Sequence, residues 1–412
     1  MTAFSFLHAA DLHLDSPLRG LDPDAPAARI RAATRDALVN LVDLALDRNV
    51  AFLILSGDLY DGDLRDWRTG HFLIEQLGRL KRACIGVFAI SGNHDAEQVL
   101  TKQLPFPGTM FPSQKPDTAL LPELGVALHG QSFATRAVLD NLALGYPDPV
   151  DEHFNIGLLH TACGSVEHDN YAPCSPSDLA GKRYDYWALG HVHGRQELSR
   201  DPWIVFPGNL QGRHVNEQGA KGATLVSVAH GLVQGATHEA LDVLRWLQLD
   251  LDVSGLPDLA AIQAAAAAAL ADSLARADSR LLVARVTLHG ATPAHAALAR
   301  DPGATREGIR AAVLDVADRS ALWVEDVRVR TTPPHDLVAR PGGQGAVAAL
   351  LDAIRQPCVL DAGLQAVVAD FLKRTGVRLH PDHPAAALLD GRVPDELAER
   401  ARALLLAELA DR

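Results

Sequence analysis

The stretch from Ile85 to Asp95 constrains this chain more than any other. Ile85-Gly86-Val87-Phe88-Ala89-Ile90 is an apolar, partly β-branched run that stops at Ser91-Gly92. Three polar side chains of different chemistry follow at once: Asn93, His94 and Asp95. A short apolar run bounded in this way reads as a buried strand, and a glycine frees the backbone where the strand ends. Polar groups at the carboxyl end of a buried strand are where an open α/β sheet carries its site. Four further segments repeat the design. Phe4 to Ala10 runs into Asp11-Leu12-His13, and Ala51 to Leu55 into Ser56-Gly57-Asp58. Residues 154–159 lead to His160-Thr161, and Tyr184 to Leu189 leads to Gly190-His191-Val192-His193. Asp11 and His13 are two apart, so in extended backbone they point to the same side.

Between the first three of these strands, residues 27–48 and 67–82 carry apolar side chains at helical spacing, which predicts a βαβαβ opening. Residues 101–122 are rich in proline and read as a loop. Strands are expected at 125–130, 154–159, 184–189, 203–206 and 222–228 with no long helix among them, so a second sheet packed on the first is expected. Composition shifts near residue 240. A strand at 244–251, an alanine-rich helix, strands at 281–288 and 322–329 and a helix near 305–318 predict a small α+β domain. Pro333-Pro334 and Pro341-Gly342-Gly343 mark a linker, beyond which 344–356, 361–375 and 394–410 read as amphipathic helices. The expected division is 1–240, 241–335 and 336–412.

The 412 residues carry a formal net charge of −13, which argues against a protein that coats nucleic acid with excess base. It leaves room for an enzyme whose bound metals supply local positive charge. Four scattered cysteines without a Cys-x-x-Cys pair speak against a disulfide framework or a zinc ribbon and for a reducing cytosol. No signal peptide and no long apolar run is visible, so a soluble cytoplasmic protein without a membrane segment is expected.

The polar strand ends collect Asp11, His13, Asp58, Asn93, His160, His191 and His193. Imidazoles, carboxylates and one amide, with no thiolate, suit borderline divalent metals such as manganese, iron or zinc. Seven ligands exceed one tetrahedral site. Two metals about 3.5–4 Å apart and sharing a carboxylate would use them, activating water and clamping phosphate oxygens. His94 is then free to protonate a leaving oxygen, and Asp95 is expected to orient its ring. His8, inside a strand, reads as a satisfied core histidine. Asp15 reads as a turn or capping residue, Arg213 and His214 as parts of a solvated loop, and Cys163 as no ligand.

Asp-x-His, Gly-Asp, Gly-Asn-His-Asp, a lone histidine after a strand and Gly-His-x-His, in that order, resemble the calcineurin-like metallophosphoesterase superfamily over about residues 4–210. The resemblance implies a four-layer α-β-β-α sandwich of two mixed sheets. It also implies one metal on Asp11, His13, Asp58 and His193, a second on Asp58, Asn93, His160 and His191, and His94 as the catalytic histidine. Phe6 to Leu14, Leu59-Tyr60-Asp61 and Phe206-Pro207-Gly208-Asn209-Leu210 are similar, more narrowly, to SbcD-type double-strand-break repair nucleases and their YhaO-like bacterial branch. That similarity implies a manganese-dependent DNA exonuclease and endonuclease (iron, zinc or magnesium being the alternative metals), 3′-to-5′ in polarity, with a small capping domain and a C-terminal helical extension. It further implies a homodimer and an SMC-like ATPase partner of the SbcC or YhaN type. One position departs: archaeal and eukaryotic relatives carry a second histidine where this chain has Asp61. Two other readings use the same motifs, a phosphoesterase acting on small molecules or phosphoproteins and a non-catalytic scaffold for the ATPase at DNA ends.

Overall fold

The computed structural model describes residues 3–16, 25–61, 67–96, 104–164 and 171–334, with Asp370 alone beyond them. The expected helices at 344–356, 361–375 and 394–410 lie outside the described residues. The chain divides into two compact units. One comprises residues 1–247, 277–283 and 319–325, the other 248–276, 284–318 and Asp326 onward.

The first unit runs β1 (Phe4–Ala9), α1 (Ala27–Asp47), β2 (Phe52–Ser56), α2 (Trp67–Arg82) and β3 (Gly86–Ile90). It continues through β4 (Thr109–Met110), β5 (Asp117–Leu121), β6 (Val126–Gly130), β7 (Phe154–His160), α3 (Pro176–Gly181), β8 (Tyr186–Gly190), β9 (Gln196–Arg200), β10 (Trp203–Phe206), β11 (Gly222–Ala229) and β12 (Leu232–Ala240). One sheet has the order β12-β11-β1-β2-β3-β4 and the other β5-β6-β7-β8-β10-β9. Both are mixed: β1, β2 and β3 pair in parallel while β11 pairs antiparallel with β1. In the second sheet β6, β7, β8 and β10 are parallel, with β5 and β9 antiparallel at the edges.

Alternation along the strands sets the layers. Phe6, Phe52, Ile54, Phe88 and Ile90 face the second sheet and pack on Val126, Leu128, Phe154, Ile156, Leu158 and Tyr186. Leu7, Leu53, Leu55, Val87 and Ala89 face the other way, under Leu38, Leu41 and Val42 of α1 and Leu73, Leu77 and Leu80 of α2. Burial on both faces is why these strands read as unbroken apolar runs. The outer face of the second sheet (Leu159, Trp187, Leu189, Ile204, Phe206) lies under Ala143, Tyr146 and Leu179, from a 3-10 turn at Leu142–Gly145 and from α3. The result is the expected four-layer α-β-β-α sandwich of two mixed sheets, with a thin helical layer on the second. Four strands depart from the sequence reading. β4 and β5 lie inside the proline-rich stretch read as a loop, and β9 and β12 were not expected. All four sit at or next to sheet edges, where one-sided burial leaves no apolar run to read.

β13 (Leu244–Asp252), β14 (Leu281–Ala291) and β15 (Leu322–Thr332) form a three-stranded sheet in that order, and each strand begins in the first unit and continues into the second. The second unit adds α4 (Leu259–Ala275), α5 (His295–Arg300) and α6 (Pro302–Val313). α6 starts earlier than 305–318 because the Asp301 side chain caps it, accepting from the Ala304 N–H at 2.8 Å, with Pro302 in its first turn; it ends at Val313. Among the described residues no helix is long and apolar enough to cross a membrane.

His8 on β1 is a satisfied core histidine, its Nδ1 3.1 Å from the Tyr186 hydroxyl and its Nε2 3.1 Å from the Leu189 carbonyl oxygen. Burial lowers its pKa to about 3, against the bond to Leu189 and helped by the Arg195 charge. The unfolded chain takes up this proton below about 6.5 and the folded one only near 3, so stability falls as pH drops between them. The slope is about 1.4 kcal/mol per pH unit, or about 2 kcal/mol between pH 6.5 and 5. His8→Gln is expected to remove that part of the acid sensitivity. Urea unfolding of both proteins at the two pH values measures it, and equal losses in the two contradict the assignment.

Candidate metal centre

The five polar strand ends meet where β1, β2 and β3 of one sheet and β7 and β8 of the other terminate. The loops after β1 and β2 are zipped together: the Asp11 N–H donates to Gly57 O (3.0 Å), His13 N–H to Asp58 O (3.0 Å) and Leu14 N–H to Leu59 O (3.1 Å). Asp11, His13, Asp58 and His191 have positive φ (53°, 42°, 51° and 100°). Non-glycine residues avoid this region, and such strain collects at functional sites. Two glycines make the space. A Cβ on Gly92 would stand 2.3 Å from Asp58 Oδ1 and 2.8 Å from His160 Cε1, and one on Gly190 would stand 1.9 Å from the Ser56 carbonyl oxygen. Gly92→Ala is therefore expected to push Asp58 and His160 apart and to lower the divalent metal bound by purified protein by half or more. Elemental analysis at wild-type level contradicts this.

All seven expected ligands come together. Asp11, His13 and His193 form one group whose ligand atoms lie within 4.8 Å of one another; Asp58, His160 and His191 form a second, and His13, Asp58 and His94 a third that joins them. His13 Nε2 is 3.2 Å from His193 Nε2 and 3.8 Å from Asp58 Oδ2. His193 Nε2 is 3.9 Å from Asp11 Oδ1. His160 Nε2 is 3.5 Å from Asp58 Oδ2 and 3.0 Å from Asn93 Oδ1. Asp11, His13, Asp58, Asn93 and His160 are buried.

This donor set fits a pair of cations. Imidazole nitrogens face one another across buried carboxylates, and His13 Nδ1 is buried without a hydrogen-bond partner, the Asp61 carboxylate standing 3.7 Å off. Burial opposes ionisation of Asp58, but the His160 charge and hydrogen bond hold its carboxyl well below the usual range. Burial likewise opposes protonation of His160, and the Asp58 charge outweighs it, raising His160 to about 9. A cation bound here would take the place of that proton.

His94, beside His13 and Asp58, is partly exposed, its side chain at 27%. Its Nδ1 is 3.0 Å from Asp61 Oδ1, and its backbone N–H donates to Asp58 Oδ1 at 2.9 Å. The hydrogen bond to Asp61 raises its pKa, against burial. The expectation that Asp95 orients this ring is corrected. Asp95 turns away and accepts backbone N–H groups from Gly92 (3.0 Å), Leu59 (3.1 Å) and Tyr60 (3.1 Å), tying the loop after β3 to the loop after β2. Burial, then the Asp58 charge, pushes its carboxyl up to about 6.

Three residues at this site were given no role in it by the sequence reading. Asp61 is the carboxylate on His94. Glu217, 7% exposed, places Oε1 2.7 Å from His193 Nδ1. Arg213 is not solvated: 14% exposed, it bonds Asp61 (3.4 Å) and Glu217 (3.2 Å). His214, 55% exposed, is the solvated one. Asp15 is no helix cap; it bonds Arg35 of α1 (Nε to Oδ1, 2.7 Å) and Thr69 of α2. Only the spacing of Asp61, three residues after Asp58, offered a clue, and Glu217 offered none.

The geometry defines a class, and comparison with known families agrees with it. Residues 4–195 match the calcineurin-like phosphoesterase family and form a metallophosphoesterase domain of that kind. Residues 246–332 match a narrower family, the middle domain of metallophosphoesterase YhaO. The chain is 38% identical over 271 residues to the uncharacterized metallophosphoesterase YhaO of Bacillus subtilis (strain 168), across 64% of this chain and 66% of that protein. It is 29% identical over 245 residues to the DNA double-strand break repair protein Mre11 of Sulfurisphaera tokodaii, across 55% and 60% of the two chains. With the protein of the same name from Methanopyrus kandleri it shares 25% identity over 224 residues, across 49% and 48%. The chain thus spans two thirds or less of the length of each of these relatives.

Proposed function

We propose that this metallophosphoesterase is a two-metal DNA nuclease that hydrolyses phosphodiester bonds at DNA ends in repair, in the 3′-to-5′ direction, with manganese as its metal. One observation carries the chemistry: the seven expected ligands gather in two groups, and His94, partly exposed, stands beside His13 and Asp58 with its Nδ1 on the Asp61 carboxylate. Relatives named for DNA double-strand break repair support the substrate. Asp11, His13, Asp58 and His193 would hold one ion, and Asp58, Asn93, His160 and His191 the other. Bound there, the pair would neutralise phosphate oxygens and make water a nucleophile near neutral pH. His94 donates a proton to the departing sugar oxygen, and Asp61 keeps it charged and aimed. Asp95 holds the loop that carries Asn93 and His94. Residues 241–335 serve as the capping domain that guides DNA, and 336–412 engage an SMC-like ATPase, in a cytoplasmic homodimer.

The test sets linear duplex DNA beside cyclic nucleotides and an aryl phosphomonoester, each with manganese. Release of nucleotides from DNA ends at much the highest turnover is the expected result. Turnover confined to the small esters overturns the DNA assignment, and an inert metal-loaded protein supports the scaffold reading instead.

A further inference from the structure

We infer that Glu217 is a positioning residue that grips the His193 imidazole by Nδ1 and so turns its Nε2 toward Asp11 and His13. The inference rests on the two-metal reading above. Glu217 lies in the loop between β10 and β11, 24 residues after His193, and is nearly buried. Its two oxygens are saturated with donors. Oε1 is 2.7 Å from His193 Nδ1 and accepts from Arg213 Nη2 at 3.2 Å. Oε2 accepts from the Arg213 backbone N–H at 2.7 Å and from Asn209 Nδ2 at 2.9 Å. A carboxylate held by this many groups cannot swing away from the ring.

The consequence for His193 follows from what each group can do. An ionised carboxylate only accepts, so Nδ1 carries the proton and Nε2 keeps its lone pair. That Nε2 lies 3.2 Å from His13 Nε2 and 3.9 Å from Asp11 Oδ1. The backbone of the same residue is fixed as well: the His193 carbonyl accepts from Lys221 Nζ at 2.8 Å and from the Asn209 N–H at 3.3 Å. The other half of the centre is built differently. His160 Nδ1 bonds the neutral Ser56 carbonyl oxygen at 2.9 Å. A carboxylate behind a ligating imidazole raises its basicity as well as setting its angle. Loss of Glu217 therefore falls on one ion, the one beside Asp11 and His13, and spares the ion at His160.

Manganese titration of the full chain, followed by calorimetry and by electron paramagnetic resonance, tests this with wild type, Glu217→Gln and Glu217→Ala. Wild type takes up two ions and shows the spectrum of a coupled pair. In Glu217→Ala one of the two affinities drops by about 10–100-fold, the other is unchanged, and an isolated-ion spectrum builds up at intermediate metal. Glu217→Gln, which keeps the shape and an acceptor but not the charge, shows the same selective loss at the lower end of that range and serves alone if the alanine variant does not fold. Two unchanged affinities in the variants overturn the inference, as does an equal loss at both sites accompanied by a lower melting temperature. Fewer than two ions in wild type instead overturns the two-metal reading itself.

Discussion

His94→Ala is expected to slow phosphodiester hydrolysis by about 10²–10⁴-fold, the range for loss of a general acid, while both metal ions remain. The side chain contacts Asp61 at 3.0 Å and lies outside the two groups of expected ligands, beside His13 and Asp58. The part of residue 94 that supports the centre is its backbone N–H to Asp58, which alanine retains. A partly exposed ring also contributes little core burial, so the fold survives. Asp61→Asn acts through the same proton. The Asp61 bond raises the pKa of His94, and a residue that must be protonated loses activity as pH rises through that pKa. Without the carboxylate the pKa falls, so the alkaline limb of the kcat/KM profile moves to lower pH. Normal turnover in His94→Ala, or a limb that stays in place in Asp61→Asn, contradicts these roles.

Asp58→Ala is expected to strip both ions and take activity to background. Its Oδ2 stands 3.8 Å from His13 Nε2 and 3.5 Å from His160 Nε2, so it is the residue common to both halves of the centre. Two cations are worth several kcal/mol to a phosphoryl transition state, so a loss of about 10³-fold or more follows. The variant also leaves His160 buried without the charge that raises it to about 9. Its pKa then falls, and the apoprotein loses the part of its stability that the pair supplies below that pH. Elemental analysis reading below one ion per chain is the expected outcome; two retained ions contradict a bridging Asp58.

Much of this was legible in the sequence for a physical reason. Strands buried on both faces write apolar runs, and the places where β1, β2, β3, β7 and β8 stop are marked by polar residues that have no business in a core. Asp11, His13, Asp58, Asn93, His160, His191 and His193 all stand at such stops. What the pattern could not carry is contact between distant loops. Asp61 and Glu217 look like ordinary surface acids until folding sets them behind His94 and His193. Arg213 looks like loop cation until its guanidinium is seen between those two carboxylates. Asp95 misled because adjacency suggests contact, whereas the turn after β3 sends its carboxylate to three backbone amides. β9 and β12 escaped because an edge strand needs neither an apolar run nor two buried faces.

The central claim is best tested by anomalous scattering from crystals soaked in manganese. Two peaks about 3.5–4 Å apart are expected, one among Asp11, His13, Asp58 and His193 and one among Asp58, Asn93, His160 and His191. A single peak, or peaks with no bond to Asp58, would contradict it.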